Sequence, residues 1–287
     1  MVTATAAGVI RLGDLSVHRL GFGAMRVCGE DVWGQPADRA EAQRLLRRAL
    51  DLGINFFDTS DAYGPEVNET QIAEALHPYP AGFVIATKGG LLRPNRYAWN
   101  PDGRPEHLRR ALEGSLTRLR LDRIDLYQLH APDPHVPFAE SVGALAELQR
   151  AGKIRHVGLS NVSVKQLEEA CRIVPIVSVQ NEYNLDNRSS EDVLLACEGK
   201  GIAFLPWFPL GAGRSLASAS VRKMAVRHGA TPAQVLLAWL LARSPMMLPI
   251  PGTGSIAHLE ENIGAASVKL SAEAFAALGR SGGRVPK

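Results

Sequence analysis

Short apolar runs alternate along the chain with amphipathic helical stretches, and most of the runs lead into a polar residue. The runs are RLGFG (19–23), INFF (54–57), FVIAT (83–87), IDLYQL (124–129), IRHVGL (154–159), IVSV (176–179), IAFLP (202–206) and MMLPI (246–250). Their length, apolar content and polar flanks predict strands. Between them, DRAEAQRLLRRALDLG has helical spacing, with Asp38 placed to cap its start and Gly53 to end it, and FAESVGALAELQRAG ends on Gly152. Strand alternating with helix implies parallel strands joined by right-handed crossovers, and eight such units predict an α/β protein of the closed (β/α)8 TIM-barrel type. The interval before the eighth run widens to admit TPAQVLLAWLLAR, an extra helix with Pro232 in its first turn. At the start, VIRLGDLSVHRL alternates around Gly13 and Asp14 and predicts a hairpin that caps the barrel bottom. No Pro/Gly/Ser linker or compositional break divides residues 1–287, so a single barrel domain is expected.

The polar tips carry the candidate chemistry. In chain order they are Asp58, Lys88, His130, Ser160 with Asn161, Gln180, Trp207 and the stretch PGTGS from Pro251 to Ser255. A barrel of this kind builds its active site from those strand ends and the loops that follow them. In FFDTSDAYG, Asp58 directly follows Phe56 and Phe57, and a carboxylate there is costly without a partner. Lys88 is the available cation. A free tyrosine titrates near roughly 10 and is a sluggish acid, but an adjacent ammonium stabilises the phenolate and lowers that value by roughly 1 to 2 units. Asp58 would then hold Lys88 charged, Lys88 would tune Tyr63 as a general acid, and His130 would orient a substrate oxygen. Each residue also has a plain structural role open to it. Asp58 could cap the turn before Ala62, Ser160 and Asn161 could cap the helix VSVKQLEEACR, and Trp207 could pack in the core. Their coincidence at successive strand ends favours one site.

Composition narrows the function classes. The 287 residues are 46% hydrophobic and 21% charged, ordinary for a globular protein. The net charge, 32 minus 29 or +3, is too mild to argue for nucleic acid. Neither a leader pattern nor a membrane-length apolar stretch is present, so a cytoplasmic protein is expected. Cys28, Cys171 and Cys197 are odd in number and widely spaced, which predicts reduced thiols and no metal site.

FFDTSDAYG, ATKGG, DLYQLHAPDP, GLSNV, VQNEYN, WFPLG and IPGTGSIAHLEEN resemble the successive motifs of the aldo-keto reductases, in order and across nearly the whole chain. The resemblance implies a barrel that reduces an aldehyde or ketone with a nicotinamide dinucleotide and without a Rossmann domain. GFGAMR agrees, because it lacks the third Gly or Ala of the dinucleotide fingerprint. It also implies that Ser160, Asn161 and Gln180 hold the carboxamide, that Trp207 stacks on the ring, and that Glu261 and Asn262 hold the adenine. Further cofactor contacts are expected at Gly23, Ala24 and Met25 and at Phe208, Leu210 and Gly211. Many relatives clasp the 2′-phosphate of NADPH with a lysine and an arginine where this chain has Gly252 and His258. Backbone amides of Gly252 and Gly254, the hydroxyls of Thr253 and Ser255, and the helix that follows still suit an anion. NADP(H) is therefore expected, with NAD(H) as the alternative.

Met25, Trp33, Tyr97 and Trp99 are the candidate substrate residues, since they lie in loops after the first and third strands. Only GRSGGRVPK follows the last helical pattern, so the barrel loops are expected to set specificity. The motif pattern resembles bacterial reductases of small aldehydes and ketones, among them enzymes acting on pyridoxal. Two other readings stay open: a hydrolase on the same barrel, for which neither a metal motif nor GxSxG is present, and a cofactor-binding regulatory member with little turnover. No oligomerisation signature is visible.

Overall fold

The computed structural model describes residues 2–282. A hairpin opens the chain, β1 (Val9–Leu12) paired antiparallel with β2 (Leu15–His18). Leu12 faces Leu15 in the register, so Gly13 and Asp14 form a two-residue turn, with Gly13 at φ +63° as such turns demand. The barrel strands then alternate with helices: β3 (Phe22–Gly23), α1 (Arg39–Asp51), β4 (Phe56–Asp58), α2 (Val67–Leu76) and β5 (Val84–Gly89). A small excursion follows, β6 (Leu91–Leu92) with β7 (Asn100–Pro101), and then α3 (Pro105–Leu119), β8 (Ile124–Leu129), α4 (Phe138–Arg150), β9 (Ile154–Ser160) and α5 (Val164–Cys171). The last units are β10 (Ile176–Glu182), α6 (Glu191–Lys200), β11 (Ala203–Trp207), α7 (Ala219–His228), α8 (Pro232–Arg243), α9 (Ile256–Gly264) and α10 (Ala272–Ser281). The seven strands β3, β4, β5, β8, β9, β10 and β11 form one parallel sheet in chain order.

The eighth run departs from its expected form. MMLPI makes a single bridge, Phe204 to Met247, instead of a strand. Pro249 and Pro251 carry no N–H and cannot sustain a ladder. The segment still closes the barrel. Phe204 N–H donates to Met246 O at 2.8 Å and Leu248 N–H to Phe204 O at 2.9 Å, while Gly21 N–H on the other edge reaches Pro249 O at 3.0 Å. The first run is likewise shorter than expected, with only Phe22 and Gly23 extended in the ladder.

The helix signals hold. Asp38 accepts from Glu41 N–H at 2.8 Å at the start of α1. Thr231 and Gln234 form a reciprocal cap on α8, with Pro232 in its first turn. The last helix runs on through Gly279 and Arg280 to Ser281, and residues 283–287 of GRSGGRVPK lie outside the described residues.

Two apolar layers organise the interior. Helices pack on the outside of the sheet, whereas Phe56, Val84, Ala86, Leu126, Ala203 and Leu205 fill the barrel itself. Ile10, Leu12, Leu15 and Val17 of the hairpin join that inner cluster, so the hairpin plugs the barrel bottom as its pattern predicts. Asp14 at the turn holds Arg155 (2.7 Å) and His156 (2.6 Å) near the start of β9. All three cysteines are free, and burial pushes the Cys28 and Cys197 thiols up to about 12, which makes them inert.

Candidate active site

Strand alternation carries the apolar interior into a polar layer at the top. Phe56, Ala86 and Leu126 point into the barrel, so Asp58, Lys88 and Gln128, two residues further on, do so as well. Lys88 is completely buried. Its Nζ donates to Asp58 Oδ2 at 2.7 Å, to Thr59 O at 2.9 Å and to Tyr63 Oη at 3.1 Å. Asp58 Oδ1 accepts from the amides of Gln180 at 2.8 Å and Gln128 at 3.2 Å. Every proton of the ammonium and both carboxylate oxygens therefore have partners, the condition under which a buried ion pair is tolerated. Asp58 is not a turn cap.

Electrostatics refine the expected tuning. Burial penalises the charge of Lys88, but attraction from Asp58 and Tyr63 outweighs it and places the ammonium above its ordinary range. The Tyr63 phenol moves the other way from the sequence-based expectation. Burial raises it more than Lys88 lowers it, so Tyr63 rests protonated, and Lys88 acts by offsetting part of that penalty. His130 is buried, and burial together with Lys88 holds its imidazole well below the usual histidine range, so the ring is neutral. Its Nδ1 lies 3.1 Å from Ser60 Oγ, and its ring meets Tyr63 edge-on at 5.8 Å between centroids.

Asp58, Tyr63 and His130 line a cavity of about 460 Å³ at the carboxyl ends of the strands, with Lys88 buried behind them. Ser160, Asn161, Gln180 and Trp207 line it too. The helix cap after β9 is Ser163, bonded reciprocally with Gln166, so Ser160 and Asn161 are not spent on capping α5. Asn161, held at φ +59°, donates to His130 O at 3.0 Å and accepts from the Trp207 indole N–H at 3.1 Å. Ser160 Oγ donates to Gln180 O at 2.8 Å. With the Gln180 amide nitrogen on Asp58, its Oε1 has no hydrogen-bond partner among the described residues.

The rim residues divide. Met25 and Trp99 line the cavity, and Trp99 meets Tyr63 and His130 edge-on at 6.3 and 6.4 Å. Tyr97 is 77% exposed and turns away into solvent, and Trp33 does not reach the cavity wall. For Trp33 the physical reason is Arg93, which the sequence reading missed. Its buried guanidinium stacks 3.6 Å from the Trp99 ring and 5.5 Å from Trp33, and it donates to the carbonyls of Asp31, Val32, Ala62 and Arg96. Arg93 thereby ties three loops together and spends Trp33 on holding them.

The expected cofactor residues are also partly redistributed. Gly23, Phe208, Leu210 and Gly252 line the cavity, whereas Ala24 and Gly211 are buried beneath their loops and do not. Ala212, Gly213, Leu216 and Arg26 line it without having been anticipated. Gly252 has no room for a side chain: a Cβ there would fall 2.5 Å from Gly23 O, and one on Gly23 would fall 2.6 Å from Ile250 O. A lysine at this position, expected from the resemblance, would force the two closely approaching barrel edges apart. Thr253, Gly254, Ser255, His258, Glu261 and Asn262 continue beyond the cavity wall into α9. Ser255 caps that helix, Thr253 Oγ1 accepts from Ser255 N–H at 3.0 Å, His258 is exposed, and Asn262 is buried.

A family model described as "Aldo/keto reductase family" matches residues 19–281. The chain belongs to the aldo/keto reductases. An uncharacterized oxidoreductase of Schizosaccharomyces pombe is 48% identical over 98% of this chain and 92% of its own length. Pyridoxine 4-dehydrogenase of Escherichia coli is 45% identical over 95% of this chain and 98% of its own length. Among solved structures, an aldo/keto reductase of Klebsiella pneumoniae in complex with NADP and acetate superposes with a TM-score of 0.81 at 29% identity, covering 95% of this chain and 94% of that one. The curled parallel sheet is therefore the (β/α)8 barrel of an aldo/keto reductase, and the chain is an oxidoreductase by family. Among the described residues no helix is long and apolar enough to cross a membrane, and no cluster of metal-ligating side chains is present.

Proposed function

We propose that this aldo/keto reductase reduces a small aldehyde or ketone to the alcohol with NADPH, and that Tyr63 is the general acid. The observation that carries the reading is the bond from Lys88 Nζ to both Asp58 and Tyr63 at the inner wall of the cavity.

The residues present fit a nicotinamide dinucleotide. Gln180 offers an unpaired Oε1 at the cavity wall, suited to a carboxamide N–H, beside Ser160 and Asn161. Trp207 offers an aromatic face, and Gly23 with Gly252 leaves bare backbone where an extended ligand can approach closely. Arg26 lines the same cavity, has no ion pair or hydrogen bond among the described residues, and its carbonyl borders Gly254. This guanidinium and the capped start of α9 supply positive potential that Gly252 does not. The Klebsiella relative with NADP supports the same choice. When bound, NADPH supplies the hydride.

The chain's own groups supply the rest. Tyr63 Oη holds a proton at the cavity wall and gives it to the carbonyl oxygen as negative charge develops there. Lys88 stabilises the phenolate left behind, and Asp58 keeps Lys88 charged. Neutral His130 donates a hydrogen bond to the same oxygen and fixes its approach. Met25, Trp99 and Leu216 present an apolar wall that favours a compact aldehyde, and the pyridoxine relative makes pyridoxal a substrate to try first.

Steady-state NADPH oxidation with pyridoxal and a panel of small aldehydes tests the reading. Tyr63→Phe is expected to bind NADPH as the parent does while kcat falls by about 10² to 10⁴ fold. Near-parental turnover in that variant overturns the acid assignment, and NADPH binding without turnover of any carbonyl in the parent favours the regulatory alternative.

A further inference from the structure

Behind His130 lies a polar cluster that the reduction as described does not use. Ser60 Oγ is 3.1 Å from His130 Nδ1 and 3.0 Å from Asp61 Oδ1, and it accepts from Ala62 N–H at 3.1 Å. The Asp61 carboxyl faces Glu69 of α2, Arg118 of α3 and Tyr127 of β8, with His130 at the other side of Ser60. Glu69 is fully buried and already takes Arg118 Nε at 2.7 Å as well as the Thr87 hydroxyl at 2.5 Å. Arg118 also meets Glu66 at 3.1 Å. One guanidinium thus faces three carboxyl groups, and Asp61 is the one without an ion pair among the described residues. Tyr127 Oη, buried and unpartnered, supplies no compensation.

Hydrogen counting makes the state of Asp61 matter to the substrate. His130 is neutral, so one ring nitrogen carries hydrogen and the other does not. Nε2 has no hydrogen-bond partner among the described residues and is the nitrogen left for the cavity. If Asp61 is ionised, it takes the Ser60 hydrogen; Ser60 then accepts from Nδ1–H, and Nε2 is bare. If Asp61 carries a proton, it donates to Ser60 Oγ, and with Ala62 N–H this fills both acceptor sites. The Ser60 hydrogen then turns to His130 Nδ1 at 3.1 Å, a better acceptor distance than Lys88 O at 3.4 Å, and Nε2 carries hydrogen into the cavity.

We propose that Asp61 is a positioning residue: as the carboxylic acid it sets, through Ser60, the Nε2–H tautomer of His130 that donates to the substrate oxygen. Asp61 is half-buried as a residue, and desolvation of its carboxyl among the groups named above, and next the charge of Glu69, push it up to about 8, which favours the acid form at neutral pH. Above that value Asp61 gives its proton to solvent, the Ser60 hydrogen turns to the carboxylate, and His130 exchanges its hydrogen from Nε2 to Nδ1 through cavity water. The link to catalysis rests on the carbonyl-reduction reading above, whereas the tautomer itself does not.

The test is ¹⁵N NMR of histidine-labelled protein, with the His130 signal assigned by His130→Gln. The wild type is expected to show Nε2–H below the Asp61 transition and Nδ1–H above it. Asp61→Asn, whose amide donates to Ser60 at every pH, is expected to hold Nε2–H throughout, and Ser60→Ala to uncouple His130 from Asp61. In turnover, kcat/KM for aldehyde reduction is expected to fall by about tenfold per pH unit above the transition in the wild type. That limb is expected to be absent in Asp61→Asn, and the kcat lost in Asp61→Ala is expected to return in Asp61→Asn. A wild type with Nδ1–H at low pH, or the same tautomer in wild type and Asp61→Asn above the transition, overturns the proposal. A failure of the reductase reading leaves this spectroscopic outcome readable.

Discussion

Replacing Lys88 by methionine separates what the ion pair does for the fold from what it does for the reaction. Methionine follows much of the lysine stem, so the packing loss is small and the electrostatic loss dominates. Asp58 would keep only the Gln128 and Gln180 amides, and the Thr59 carbonyl would lose its 2.9 Å donor. Removing one member of a fully buried pair costs about 3–5 kcal/mol because the survivor stays charged in a dry site. Against a typical domain stability of about 5–15 kcal/mol, the variant should fold with a reduced margin. The kinetic effect is separate. Burial already raises the Tyr63 phenol, and the opposing attraction of Lys88 would be gone. Loss of a preorganised cation facing the developing phenolate is expected to lower kcat by about 10² to 10³ fold. Urea titration gives the stability change and NADPH oxidation the rate. The informative companion is Asp58→Asn in the Lys88→Met background, which removes the stranded charge. It should return much of the lost stability and none of the lost activity. The reasoning is refuted if Lys88→Met stays within about 1 kcal/mol of the parent at unchanged m-value, or if the double variant is no more stable than the single one.

Two further predictions follow from the same geometry. Gly252→Ala drives a Cβ against Gly23 O and should part the first and last barrel segments, weakening NADPH binding in fluorescence titration and lowering the denaturation midpoint; a variant equal to the parent in both would show that the edges can separate freely. Because burial and Lys88 keep His130 neutral, its titration falls well below pH 6.5, and kcat/KM for reduction should stay flat between about pH 6 and 7; an acid limb centred in that interval would contradict the neutral imidazole.

The amino-acid sequence by itself determined the barrel, the hairpin that plugs it and the candidate tetrad. Short apolar runs and helical spacing are local properties, and so are the caps at Asp38 and Thr231 and the Gly13–Asp14 turn. Asp58, Lys88 and His130 were legible because a charge or imidazole directly after an apolar strand has few cheap structural explanations. Gln128 carried a similar signal, an amide within the apolar run IDLYQL, yet only the barrel register shows that it reaches Asp58. The tertiary structure alone decided the remainder, since each point depends on groups far apart in the chain meeting in space. Proline spacing weakened the eighth strand, but closure came from hydrogen bonds to Phe204 and Gly21 on either side. The close contact of Gly23 and Gly252 would be forced apart by a lysine at the second position, and Arg93 draws Trp33 away from the pocket while it supports Trp99. The direction of the Tyr63 shift belongs to the same class. An ammonium nearby lowers a phenol's pKa, but how much burial raises it is a property of the packed interior, and here burial prevails.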